Sequence, residues 1–297
     1  MKDRIPILMA LLAAILWGTT GTAQALAPPN TDPISFGAAR LAFGGVTLLL
    51  LVSLQGKLKL KGWSVKEVIF ASFSMACYQP LFFSAVKLTG IAIGTVIAIG
   101  SAPIIAGIME WVITKRKPSK NWWFATFTAI LGCILLFTNK SSVVINPAGI
   151  ILAMGAGMSF AAYTLVSKRL LEEQSPDAVV AVVFTLSAIF LAPLLFMFDL
   201  SWLLQSNGIA SSLYLGVFAT GLAYLLFAKG LVKLPASTAV TLSLAEPLTA
   251  ALLGAFLVGE TLTLTSWAGI GLLFFAIVIL SRAPHKNRNP IRLNTDH

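Results

Sequence analysis

The chain has 297 residues, of which 57% are hydrophobic and only 11% charged, with a mean hydropathy of +0.88. Soluble chains carry about 25% charged residues, so one soluble core is excluded as the destination of this much apolar surface, and a bilayer is required. The net charge of +10 is no nucleic-acid footprint, because its cations sit in short clusters between apolar segments.

Residues 1–27 imitate a secretory signal: Lys2 and Arg4 make a basic start, an apolar run follows to Trp17, and Ala25-Leu26-Ala27 resembles a cleavage site. Further apolar segments follow, and a later segment is its counterpart, so it reads as a retained first spanning helix. A helix needs about 20 mostly apolar residues to cross the hydrocarbon. By that measure spans are expected near 5–26, 33–54, 67–87, 91–114, 121–138, 147–168, 177–198, 208–229, 234–257 and 265–281. Membrane strands would be shorter and alternate in polarity, so the fold class is an all-α integral membrane protein.

Basic residues mark the cytoplasmic loops of membrane proteins. With ten spans, 18 of the 21 Lys and Arg residues fall on one side, only Lys87 and Lys140 on the other, and Arg40 lies within the second span. The split alternates loop by loop and places both termini in the cytoplasm. Cys77 and Cys133 lie in apolar segments, form no CxxC, and read as buried spectator thiols. His285 and His297 fall in the polar tail. No metal cluster and no nucleotide-binding loop is present, so no cofactor is expected and ATP is not the expected energy source. The triplet Asn139-Lys140-Ser141 fits a glycosylation sequon, a pattern that arises often by chance.

The two halves resemble each other. Pro103 and Pro247, in the fourth and ninth spans, are 144 positions apart, as are Trp123 and Trp267. Asp32-Pro33 and Ser175-Pro176 precede the second and seventh spans at an offset of 143. Residues 1–140 are thus a first five-helix repeat, 141–282 a second, and 283–297 a basic cytoplasmic tail. Five is odd, so the second repeat enters the membrane inverted. That arrangement recurs in secondary transporters, which bind solute at the midplane between the repeats.

These segments resemble the drug/metabolite transporter superfamily, specifically EamA-type permeases. The resemblance rests on AILWGTTGT in the first span, AARLAFGG in the second, SAPIIAGIMEW in the fourth, and LAEPLTAALLGAFLVGETLTLTSWAGIGLLFFAIVIL across the last two. It covers about residues 5–281. One departure is Lys115-Arg116 in the first repeat where the second has Gly259-Glu260. The resemblance implies an inner-membrane permease, often an exporter, for amino acids or related small metabolites. An uptake permease for another metabolite is the alternative reading, with an integral-membrane enzyme behind it. The expected partners are a small solute and the lipid bilayer, with a proton as one option for coupling and either a monomer or a homodimer as the assembly.

Candidate site residues follow from the cost of polar groups in lipid. A central acid costs roughly 2.5–3.5 kcal/mol on insertion scales, and Glu246 stands near the middle of the ninth span. On a 3.6-residue helix it shares a face with Ala239, Ser243, Thr249 and Ala250. Pro247 lacks an N–H, which is expected to free the Ser243 carbonyl. Such a cluster is tolerated only against a cavity or another helix. Arg40 has three readings: a salt bridge, a solute carboxylate, or the outer headgroups. Trp17, Gln24, Tyr78, Gln79, Tyr163 and Tyr224 are candidates to line the same cavity, with kinks expected at Pro80, Pro103 and Pro247. Glu110 reads as a solvated interfacial acid near Lys115 and Lys117.

Overall fold

The fold was taken from a computed structural model. It describes residues 4–29, 31–56, 62–115, 117–137, 146–259 and 261–282. The basic tail, the Asn139-Lys140-Ser141 triplet, Arg116 and Glu260 lie outside the described residues.

Among the described residues, ten helices are long and apolar enough to cross a membrane: α1 Ile5–Gln24, α2 Pro33–Leu54, α3 Val65–Gly90, α4 Ile93–Thr114, α5 Lys120–Phe137, α6 Pro147–Glu173, α7 Pro176–Leu195, α8 Ser206–Leu231, α9 Ala236–Leu257 and α10 Leu264–Arg282. Their starts are written in the sequence. Asp32 Oδ1 accepts from the Ile34 and Ser35 amides at 2.8 and 3.1 Å. Asn146 Oδ1 does the same for Ala148 and Gly149 at 3.0 and 3.2 Å, and Ser175 Oγ accepts from Ala178 N–H at 3.3 Å. Each cap precedes a proline at the first helical position, whose missing N–H would have had no partner there. Between α3 and α4 the chain reverses at Gly90, whose φ of 82° suits glycine.

Packing follows the repeat. The second helix of each half packs against the other, α2 on α7, and so do the fifth helices, α5 on α10. The remaining main contacts set α1 on α8 and the α3–α4 pair on α6. A lipid environment gives helices no hydrophobic drive to associate, so close contact through small residues takes its place. At the α5–α10 crossing, a Cβ on Gly132 would lie 2.8 Å from the Gly269 carbonyl oxygen. Large apolar residues such as Phe73, Phe124, Phe127, Ile151 and Phe274 point outward, as a lipid-facing belt requires.

Two features were not anticipated. A short 3₁₀ turn, Ser201–Leu204, lies between α7 and α8 and buries Trp202 against Phe36 at 5.4 Å. Wide π-type turns interrupt α8 at Leu215–Leu222 and end α9 at Gly254–Val258.

Candidate functional site

The ninth helix is interrupted near its middle. Its first segment runs Ala236–Leu242 and its second Ala245–Leu253. The interruption falls where the Pro247 ring would press on the carbonyl four residues earlier, that of Ser243. That carbonyl is not free, contrary to the expectation: it accepts from Glu246 N–H at 2.9 Å. Shortening the bond by one residue tightens the turn and satisfies the orphaned group. The Ser243 hydroxyl donates to the Val240 carbonyl at 2.7 Å. Ser243 therefore shapes the turn from a buried position and does not offer its carbonyl as an open acceptor. Pro80 and Pro103 behave differently, since the backbone from Val65 to Thr114 stays helical except at Gly90.

Glu246 stands at the start of the second segment. Its side chain is half-buried and takes neither a hydrogen bond nor an ion pair from any described residue. Directly opposite, α1 has its own break at Thr19, whose hydroxyl donates to the Leu16 carbonyl at 2.7 Å and accepts from Tyr214 at 2.9 Å. The two broken helices cross in close contact. A Cβ at Gly18 would come within 2.6 Å of Thr249 Cβ and 2.8 Å of the Glu246 carbonyl oxygen.

Trp17 is one residue before this crossing. Its ring lies 4.7 Å from Tyr224, 5.3 Å from Phe227 and 5.9 Å from Phe160. Tyr78 joins the cluster 5.9 Å from Phe160 and is within electrostatic reach of Glu246, Tyr224 and Arg40. Glu246 and Arg40 also interact electrostatically across the site. Arg40 is 8% exposed and lies beside the Tyr224 phenol, so headgroup contact is not its role in this arrangement. On the face that carries Arg40, Gly37 packs against Gln79 of α3 and Gly44 against Thr220 of α8. Four buried donors around this region have no hydrogen-bond partner among the described residues: Trp17 Nε1, Arg40 Nε, Gln79 Nε2 and Thr220 Oγ1. Unpaired buried donors are costly, and native sites that tolerate them need an explanation.

The structure thus brings Glu246, Arg40, Trp17, Tyr78, Gln79 and Tyr224 into one region. Tyr163 is buried behind it, 5.9 Å from both Phe184 and Tyr224, as a packing residue. Gln24 is the last residue of α1, about two turns beyond Trp17. Phe160, Phe184, Phe227 and Thr220 complete the lining. Sequence reasoning passed over the phenylalanines because a Phe in a span reads equally well as lipid-facing.

Glu110 corrects an expectation. Its carboxylate accepts from the backbone N–H groups of Ala236 and Ser237 at 3.2 and 3.0 Å, and from the Ser237 hydroxyl. It therefore caps the start of α9. The first amides of a helix have no partner within it, and the positive end of the helix dipole favours a carboxylate there. Lys117 lies instead over the Trp111 ring, 5.5 Å from its centroid.

Comparison with known proteins agrees with this architecture. The model of the EamA-like transporter family matches the chain twice, over residues 4–138 and 147–282. The chain is 55% identical to the uncharacterized transporter YwfM of Bacillus subtilis (strain 168), over 97% of each chain. It is 29% identical to the threonine/homoserine exporter RhtA of Escherichia coli (strain K12), over 92% of this chain and 90% of the relative. A solved crystal structure superposes with a TM-score of 0.81 at 17% identity, covering 92% of this chain and 95% of the other, and shares the fold.

Proposed function

The chain belongs to the EamA-like transporter family, and from that premise we propose that it exports amino acids or related small metabolites across the plasma membrane by alternating access. It is a multi-pass membrane transporter and not an enzyme. The observation that carries the finer reading is the unpaired Glu246 carboxylate at the α9 break, facing Arg40 across an aromatic site between the repeats. An α-amino acid carries an ammonium and a carboxylate close together. Its ammonium would meet Glu246, and its carboxylate would meet Arg40 and the unpaired donors around it. Trp17 and Tyr78 supply aromatic faces for the solute's carbon skeleton and cation. The relative RhtA, an exporter of threonine and homoserine by name, supports the same solute class.

The test is L-threonine counterflow in proteoliposomes, with homoserine and other amino acids as competitors. Saturable exchange without chemical change is expected. Losing one partner of a buried, hydrogen-bonded charge pair costs about 2–5 kcal/mol, so Glu246→Gln should slow exchange at least about thirtyfold while inserting normally. Glu246→Asp should keep partial activity. Native exchange by Glu246→Gln would remove the charge from the mechanism. Surviving exchange with lost gradient-driven flux would make Glu246 a proton carrier and not the ammonium's partner.

A further inference from the structure

The turn joining α8 to α9, residues 232–235, is held by two opposite charges from two other helices. Glu110 of α4 receives the α9 amides and the Ser237 hydroxyl. Lys168 of α6 donates from Nζ to the carbonyls of Leu231 and Leu234, at 2.9 and 2.7 Å, where α8 ends. Each charge has the sign that its helix end attracts: a carboxylate at an N-terminus and an ammonium at a C-terminus. The two also interact electrostatically with each other.

They do different things. Lys168 belongs to the second repeat and binds a turn of that same repeat, so its contacts can travel with the repeat as a rigid body. Glu110 belongs to the first repeat and binds the second, so its contacts must break whenever the repeats part at this end. Burial is continuous along the α9 segment that Glu110 caps, Ala236 to Ala245. The repeat offset of 144 pairs Glu110 with Gly254 and Lys168 with Gln24, and neither counterpart is charged. The two positions that the repeat makes equivalent to the clasp thus carry no charge at the other end of the bundle.

We propose that Glu110 is a positioning residue for transport. It latches the end of the bundle that carries both chain termini, holds the repeats closed there, and is released once per cycle. The inference rests on alternating access, as proposed above, but its test needs no solute. Cys77 and Cys133 are replaced by alanine in full-length protein, and one cysteine is placed at Ala239, fully buried on the latched side, or at Ala250, exposed one turn beyond Glu246. Labelling by a water-soluble maleimide in lipid nanodiscs is timed with and without Glu110→Gln. Hydrogen bonds to a charged group are strong enough that removing the charge and one of the two acceptor oxygens should shift the equilibrium about tenfold. The Ala239→Cys protein should then label about tenfold faster and the Ala250→Cys protein more slowly. Ser237→Ala, which keeps the charge and both amide bonds, should shift both rates the same way by less, and it tests the latch even where Glu110→Gln folds poorly. Unchanged labelling at both positions overturns the proposal. Faster labelling at both also overturns it, since that is the signature of a helix cap whose loss only loosens the fold. Absent threonine counterflow alongside a reciprocal labelling change would refute the solute assignment and leave the latch standing.

Discussion

Gly18→Ala adds one methyl group where α1 crosses α9. The new Cβ would lie 2.6 Å from Thr249 Cβ, 2.9 Å from Thr249 Cγ2 and 2.8 Å from the Glu246 carbonyl oxygen. Non-bonded carbons rest at about 3.5–4.0 Å, so the helices must separate by about 1 Å at this point. Inserting a methylene into a packed interior costs about 1–3 kcal/mol, which is about a five- to 150-fold change in an equilibrium constant. The displaced backbone carries Glu246, so the damage should reach function as well as folding. Threonine counterflow is expected to fall at least about tenfold, and the thermal midpoint in detergent is expected to drop. A second substitution, Thr249→Gly, removes two of the three obstructing atoms but leaves the Glu246 carbonyl in place. It should restore part of the midpoint and part of the flux. Native flux and a native midpoint for Gly18→Ala alone would show that α1 and α9 do not approach as described.

Arg40→Gln should raise the KM for threonine about tenfold or more, because hydrogen bonds to a charged group are worth about 1.5–3 kcal/mol, whereas Arg40→Lys keeps the charge without the planar fork and should fall between. An unchanged KM in the counterflow assay would exclude Arg40 from carboxylate contact. Trp202→Ala empties a buried position against Phe36, and truncations of this kind cost about 3–5 kcal/mol. The detergent midpoint should fall clearly, and no change would mean that the Ser201–Leu204 turn does not pack there. Reporter fusions after Lys61, Lys117 and the tail should read cytoplasmic, and fusions after Pro28, Asn139 and Asn207 external. A consistent reversal would refute the charge-based topology.

The spans were legible because the bilayer imposes a length and a polarity that survive any change of packing partner. The repeat was legible because Pro103 and Pro247, like Trp123 and Trp267, keep one offset. Glu246 stood out because an acid in mid-span demands a reason. The destinations of polar groups were not legible, since they depend on which helix ends meet in space. Glu110 has Lys115 and Lys117 as chain neighbours, yet its partners are 126 and 127 positions away. No local pattern records such a pairing. Ser243 shows a different limit: Pro247 does remove a donor, as the sequence implies, but a one-residue shift of the hydrogen bond repairs the loss.

The two helix breaks explain why the site lies where it does. An unbroken helix in lipid satisfies its own backbone and presents only side chains. At Thr19 the break is secured by a hydroxyl bond to Leu16 and a tyrosine from α8, and at Ser243 by a hydroxyl bond to Val240 and a tightened turn. Each break is therefore stable without a ligand, so neither needs a solute to fold. The side chains beside them are another matter. Glu246 and the unpaired donors of Trp17, Arg40, Gln79 and Thr220 keep their hydrogen-bonding capacity, while the turns beside them are held by the backbone bonds at Leu16, Ala239, Thr241 and Ser243. That division, with satisfied backbone and unsatisfied side chains, suits a carrier, which must fold empty, bind solute and release it. It also sets the order of effects expected on mutation. Changes at Thr19 or Ser243 should act first on stability, whereas changes at Glu246 or Arg40 should act first on the solute.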